Sequence, residues 1–302
     1  MATEAVAADT MTLRLGARGR RTGESGRRVA VFLLLPATLL LLLLFAYPVA
    51  TVIMRSFTEP ETGLQNYIWF FGAQLNVTVL LRTLATAITV TVICLLIGYP
   101  YAYLIVTTQR AWIRGVMLIA VLVPLFTSSL TRSYSWVLIL QNNGVLNFLL
   151  DPLGMRVQLL GTQTAVIIGM TQVLMPFAVL PLFATMSRID LRLISAAQSL
   201  GAPPRTAFRK IMLPLSLPGV MAAATVVIVN AMGFYITPVL LGSGSSMMLP
   251  VLVHTQVGRL LEWGRGGAMA VILLAMTLII LAVFALAFRL TNKGVFRGGI
   301  AR

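Results

Sequence analysis

Residues 195–219 read "SAAQSLGAPPRTAFRKIMLPLSLPG". The stretch is basic at Arg205, Arg209 and Lys210, and it is punctuated by Gly201, Pro203, Pro204, Pro214 and Pro218. A long apolar run, "AVIIGMTQVLMPFAVLPLF", precedes it, and another, "GVMAAATVVIVNAMGFYI", follows it. Each run is long enough to cross a bilayer, which takes about 20 mainly apolar residues. The segment between them is therefore a connection at one membrane face. What it is built to do decides how the rest of the chain is read.

The composition agrees with a membrane assignment. Of 302 residues, 58% are hydrophobic and 10% charged, where soluble domains carry about 25% charged residues. Such a chain cannot hide its apolar surface in a water-soluble core. Six spans are expected, at about 29–54, 77–106, 115–140, 159–183, 215–241 and 267–288, giving an all-α integral membrane domain over 29–290. The first run is preceded by Arg27 and Arg28 but is too long for a cleaved signal peptide, and it reads as an uncleaved span. Residues 1–28 are polar, rich in Gly and Arg and without apolar periodicity, so a disordered cytoplasmic tail is expected there. Residues 291–302 form a second tail.

The net charge of +15 marks topology rather than nucleic-acid binding. With the N-terminus inside, seventeen Lys and Arg fall on the inner side and four (Arg55, Arg156, Arg259 and Arg265) in outer loops. That asymmetry puts both termini in the cytoplasm. Arg82 and Arg132 fall within spans, and no carboxylate does. Cys94 is the single cysteine and His254 the single histidine. An intrachain disulfide, a histidine-based metal site and a catalytic triad are thereby excluded from this chain alone. His254 falls in an outer loop and reads as a surface residue.

The connecting segment has internal order. Leu191, Ile194, Ala197 and Leu200 recur at spacings of three, one apolar stripe of a short helix. Asp190 suits its start and Gly201 a left-handed position just past its end. Pro203 and Pro204 suit the first turn of a second helix, where a missing N–H costs nothing. Ala196 and Ala197 make a face that another protein can approach closely, although a helix lying on lipid headgroups has the same pattern.

These residues resemble a known family. Ser195-Ala196-Ala197, three residues, Gly201, nine residues, then Ile211-x-Leu213-Pro214 is similar to the EAA loop of ABC-importer permeases, Glu-Ala-Ala-x3-Gly-x9-Ile-x-Leu-Pro. Ser195 stands where the family has Glu. "FAYPVATVIMRSFT" (45–58), "PLFTSSLTRSYSWVLILQNNGVLN" (124–147) and "GFYITPVLLGSG" (233–244) resemble spermidine/putrescine-type permeases in particular, and the likeness spans about 30–290. The resemblance implies the type I ABC importer fold, with the loop docked in a cleft on a cytoplasmic ATPase. It implies a bacterial inner-membrane location, and as partners an ABC ATPase dimer, a second related permease and a periplasmic solute-binding protein, besides membrane lipid. No Gly-x4-Gly-Lys-Ser/Thr sequence is present, so ATP and Mg²⁺ belong to the ATPase and no cofactor is expected in this chain. It is not expected to be an enzyme by itself.

Polar residues within spans are expected at the solute path, because polar groups at membrane depth need partners or a water-lined cavity. The candidates are Ser128, Arg132, Tyr134, Gln172, Asn230, Phe234, Tyr235 and Thr237, placing spans three, four and five around the path. Ordinary interhelical bonding is the competing account of each. Arg132 lies 18 residues after Arg114, roughly 27 Å along a straight helix, which fits either a snorkelling arginine or a pathway residue. The resemblance favours a polyamine-like solute. The lack of an intramembrane carboxylate, with Phe234 where many family members have Glu, keeps amino-acid-like and other small organic solutes, or ferric iron, in view. Cation–π contacts from Tyr134, Trp136, Phe234 and Tyr235 offer another way to hold a cation. A self-sufficient secondary transporter would use coupling carboxylates or a filter motif, and neither is present.

Overall fold

The structure is a computed structural model that describes residues 34–36 and 38–297, with side chains described as far as Leu286. The expected tail at 1–28 lies outside the described residues. The chain divides into two units, Met1–Arg55 and Ser56–Arg302. Most of helix α1 (Leu34–Thr58) belongs to the first, and its leucine run, Leu39 to Leu44, is exposed.

The second unit is helical throughout, with no strand among the described residues. Its helices are α2 (Gln65–Gly72), α3 (Gln74–Thr107), α4 (Ala111–Leu122), α5 (Ser129–Leu140), α6 (Val145–Leu150), α7 (Gln163–Met186), α8 (Arg192–Ser199), α9 (Pro204–Ala207), α10 (Leu213–Met232), α11 (Ile236–Leu241), α12 (Leu249–Gly258) and α13 (Trp263–Arg297). Counting α1, five helices are long and apolar enough to cross a membrane, and six if the bent pair Ala111–Phe126 and Ser129–Leu153 is one span.

The core is the packing of α3, α7 and α10. Lipid offers no hydrophobic drive for helices to associate, so close approach of small residues must supply the contacts. On α3 the buried stripe runs Thr83, Ala87, Val90, Thr91, Cys94, Gly98 and Ala102, and it recurs every three or four residues as one helix face does. A Cβ on Gly98 would sit 3.4 Å from Val179 of α7. On α10, a Cβ at Gly219 would fall 2.7 Å from the Thr185 Cβ. Threonine is β-branched and stiff, so that crossing has no give. Gly219→Val is expected to destabilise the protein by about 1–3 kcal/mol, measured as a lowered thermal midpoint in detergent. An unchanged midpoint would show that α7 and α10 separate there at no cost.

Three spans differ from their sequence outlines. The stretch read as a single third span, 115–140, is bent by 101° at its middle. Val123–Phe126 tightens into a 3₁₀ turn with a proline near its start, and Thr127 and Ser128 are extended. A local contributor is Pro124, which has no N–H to donate to the carbonyl four residues earlier, followed by the three hydroxyl residues Thr127, Ser128 and Ser129. The fifth span begins earlier than 215, because Pro204–Met232 is one helical run. Pro204 occupies its first turn, where proline is tolerated, and a π turn at Phe208–Met212 joins α9 to α10. That run then breaks at Gly233 before α11. The last helix extends through the backbone of the region read as a C-terminal tail, to Arg297.

Candidate coupling segment and solute path

The connecting segment folds as its punctuation suggests. Asp190 Oδ1 accepts the Arg192 N–H at 2.9 Å at the start of α8. At the other end the Gly201 N–H donates to the Gln198 carbonyl (2.9 Å) and the Ala202 N–H to the Ala197 carbonyl (3.0 Å). This pair of bonds is the Schellman arrangement, which needs a left-handed residue between them. Gly201 supplies it at φ +86°. Pro203 is extended and Pro204 opens α9. The segment is thus two helices set by a fixed elbow.

One side of the elbow is anchored. Ala207 and Met212 are buried, and Ile194 and Phe208 pack against the same cluster as Val179, Leu182 and Met186 of α7. Tyr99 and Tyr103 of α3 meet the Phe208 ring edge-on, at 6.0 and 5.5 Å. Tyr99 Oη lies 2.9 Å from Ser216 Oγ. The other side is open: Ser195 and Ala196 are exposed, Ala197 is half-buried, and Leu193 and Leu200 are 48% and 90% exposed. Leu193, Ala196 and Leu200 therefore form an apolar strip that faces away from the core. The expected stripe of Leu191, Ile194, Ala197 and Leu200 differs, since Ile194 turns inward and Leu200 outward. Ile211 is half-buried in the π turn, while Leu213 and Pro214 are exposed at the start of α10.

The path candidates are spread over several places. Ser129, Asn230, Phe234 and Tyr235 line one cavity of about 470 Å³ at the end of α10 and the break before α11. The Asn230 amide donates to the Val226 carbonyl at 2.8 Å. Tyr235 also stacks on His254 of α12, with ring centroids 4.9 Å apart, a partnership that nothing in the local sequence of either residue announces. Gln172 lines a second cavity, between α3, α4 and α7. Thr237 lines neither of these cavities: it is buried, with its hydroxyl 2.7 Å from that of Ser133, which fastens α11 to α5. Ser128 precedes α5 and is exposed, as is Tyr134.

Arg132 is held by the interior of the bundle. Its Nη1 donates to the Val173 carbonyl at 3.4 Å and its Nη2 to Ser129 Oγ at 3.5 Å, while Nε is buried without a hydrogen-bond partner. Val173 lies ten residues into α7, about 15 Å from its start in a helix roughly 36 Å long. The guanidinium thus sits near the middle of that helix. A count along a straight third span puts it near an end, and the 101° bend makes the difference. Among the described residues it has no carboxylate partner.

The sequence and the fold are similar to those of known proteins. The chain is 32% identical over 243 residues to the spermidine/putrescine transport system permease protein PotB of Escherichia coli (strain K12), covering 80% of this chain and 88% of that protein. It is 32% identical over 235 residues to PotB of Haemophilus influenzae, covering 77% and 82%. Among solved structures, a bacterial alginate ABC transporter in complex with its pentasaccharide-bound periplasmic protein matches with a TM-score of 0.70 at 20% identity, over 88% of this chain and 96% of that one. The MetNI methionine ABC transporter matches at 0.54 and 20% identity, over 75% and 97%. At these identities the structures speak for a shared fold alone. Residues 95–295 match the model of the binding-protein-dependent transport system inner membrane component, and the chain belongs to that family of ABC transporter permeases.

Proposed function

We propose that this chain is one of two transmembrane subunits of an ATP-driven importer, with six spans, both termini in the cytoplasm, and a polyamine-like solute delivered by a periplasmic binding protein. The observation that carries the reading is the 32% identity to PotB over four-fifths of the chain. The elbow supports it from the residues. Residues 195–214 act as the EAA loop: the exposed strip of Leu193, Ala196 and Leu200 docks on an ATPase, and the buried side, tied to α3 and α7 through Phe208 and Met212, carries the movement into the spans. ATP closes the ATPase dimer and the path opens outward; hydrolysis restores the inward-facing state. Ser195 in place of the family Glu gives this docking face one charge fewer.

The absence of a carboxylate from the spans favours a second solute reading, an amino-acid-like or other small organic compound or ferric iron, in the same machinery. One experiment separates these readings. The complete transporter is reconstituted in proteoliposomes with its binding protein, and uptake of radiolabelled putrescine, spermidine, amino acids and ferric iron is followed with and without ATP. ATP-dependent uptake of the di- and polyamines is the expected result. ATP-dependent uptake of another solute supports the second reading. Uptake by this chain alone without ATP would make it a secondary transporter.

A further inference from the structure

The cavity lined by Gln172 has a volume of about 550 Å³. Its wall is mostly apolar, with Ile93 and Ile97 from α3, Val121 from α4 and Met175 and Val179 from α7. Three polar side chains also line it, Tyr101, Thr171 and Gln172, and the side-chain oxygens of the last two lack partners. Thr171 is 8% exposed and its Oγ1 has no hydrogen-bond partner; Gln172 Oε1 is buried and has none either. A third acceptor comes from the backbone. Pro176 lies within α7 and lines the same cavity. It brings no N–H to the carbonyl four residues earlier, which is that of Gln172. The nearby Tyr101 hydroxyl does not fill the need, because it donates to the Met117 carbonyl at 2.9 Å.

Buried acceptors without donors are costly, and water or a neighbouring helix normally satisfies those beside a proline in a spanning helix. Here two unpartnered side-chain oxygens and a carbonyl that Pro176 cannot serve lie at one level of one helix, beside an apolar cavity lined by no acid. The complementary ligand has an aliphatic body and N–H donors at its end. The protein already shows this chemistry one residue further on, where the Arg132 guanidinium donates to the Val173 carbonyl. Arg132 itself does not line the cavity. Its positive charge on the same turn limits how tightly a second cation can be held, which suits a subsite that must release its cargo.

We infer that the turn of α7 ending at Pro176 forms a solute subsite in which Thr171 and Gln172 accept hydrogen bonds from the amino group of an aliphatic di- or polyamine, while the α3 and α4 side chains cover its methylene chain. This rests on the polyamine reading above and explains how such a solute is handled without an intramembrane carboxylate.

The test uses the complete transporter without its binding protein, with equilibrium binding of radiolabelled putrescine in detergent. ATP-driven uptake by the wild type is measured in parallel. Thr171→Val, which keeps the shape and removes the hydroxyl, is expected to weaken binding several-fold, and Gln172→Leu at least tenfold. Gln172→Glu is expected to tighten it, a gain that a merely structural role cannot produce. Should Gln172→Leu fail to assemble, the near-isosteric Thr171→Val and the charge-adding Gln172→Glu carry the decision. If all variants bind putrescine as the wild type does, the cavity holds something else, such as a lipid acyl chain, and the subsite is overturned while polyamine uptake stands. If the wild type imports no di- or polyamine, the solute reading fails and the subsite with it.

Discussion

Gly201→Leu is expected to lower ATP-driven solute uptake at least tenfold while ATP hydrolysis by the partner continues. The reasoning starts from backbone conformation. Gly201 has φ +86°, a region that costs an L-residue roughly 1–2 kcal/mol. The cost is conformational, because a Cβ there would meet nothing within 4 Å. A leucine can relieve it only by abandoning the left-handed turn. The bonds from Gly201 to Gln198 and from Ala202 to Ala197 then break, and α8 loses its fixed angle to α9. The exposed strip on α8 is linked to the buried anchor on α9 and the π turn by that elbow and by the packing of Ile194, and the elbow is what fixes the angle. Losing it leaves both helices present and the movement between them lost. Gly201→Asn is the control, since asparagine tolerates left-handed backbone best among the residues with a side chain, and it is expected to retain most of the uptake. Hydrolysis and uptake are measured in the same proteoliposomes. Coupled transport unchanged in Gly201→Leu would remove the elbow from the mechanism.

This elbow was the most legible part of the molecule. Its determinants are local: Asp190, Gly201, Pro203 and Pro204 each act on the backbone within a few residues. The spans were legible as apolar lengths for a similar reason, since composition alone sets them. Other features depend on groups far apart in sequence and left no local mark. The Ser133–Thr237 hydroxyl pair joins residues 104 positions apart, and the Tyr235–His254 stack depends on how α12 folds back. The break in the third span was visible only as a run of hydroxyls after Pro124, a pattern that many unbroken membrane helices also carry by bonding each hydroxyl to a carbonyl one turn earlier. Thr83, Thr86, Thr89 and Thr91 of α3 do so, and α3 stays helical through them. The start of the fifth span lies earlier than the sequence suggests for a related reason. Pro214 and Pro218 look like interruptions, yet Pro214 falls in the first turn of α10 and a π turn just before it keeps the run helical.

Arg132→Met is expected to leave the assembled transporter as stable as the wild type and to slow uptake by up to about tenfold. The stability half follows from the weakness of the contacts. Contacts of 3.4 and 3.5 Å are longer than the usual N–H···O hydrogen bond, and Nε is buried with no partner at all. A guanidinium removed from low dielectric is itself a relief, and methionine keeps much of the apolar stem. The two terms offset one another. The transport half follows from where the contacts lie. Arg132 is in the first turn of α5, just past the break in the third span, and it reaches the α7 backbone one turn before Pro176. It therefore ties a bent span to one in which Pro176 removes a helix hydrogen bond, at the level where both are weakest. Weak, charge-assisted bonds that form and break there hold one arrangement without locking it. A hydrogen bond to a charged group contributes about 1.5–3 kcal/mol, a bond this long sits at or below the low end of that range, and each 1.4 kcal/mol is about tenfold in rate, so losing one such bond from the transition between states slows uptake by up to about tenfold. Arg132→Lys is expected to fall between the two, because an ammonium is a single point donor and cannot span both Val173 and Ser129 as the guanidinium fork does. The measurements are the thermal midpoint of the purified complex and the initial rate of ATP-driven uptake. A lowered midpoint with uptake reduced in proportion would make Arg132 a structural tie between α5 and α7. A normal midpoint with full uptake would place it outside the moving parts altogether.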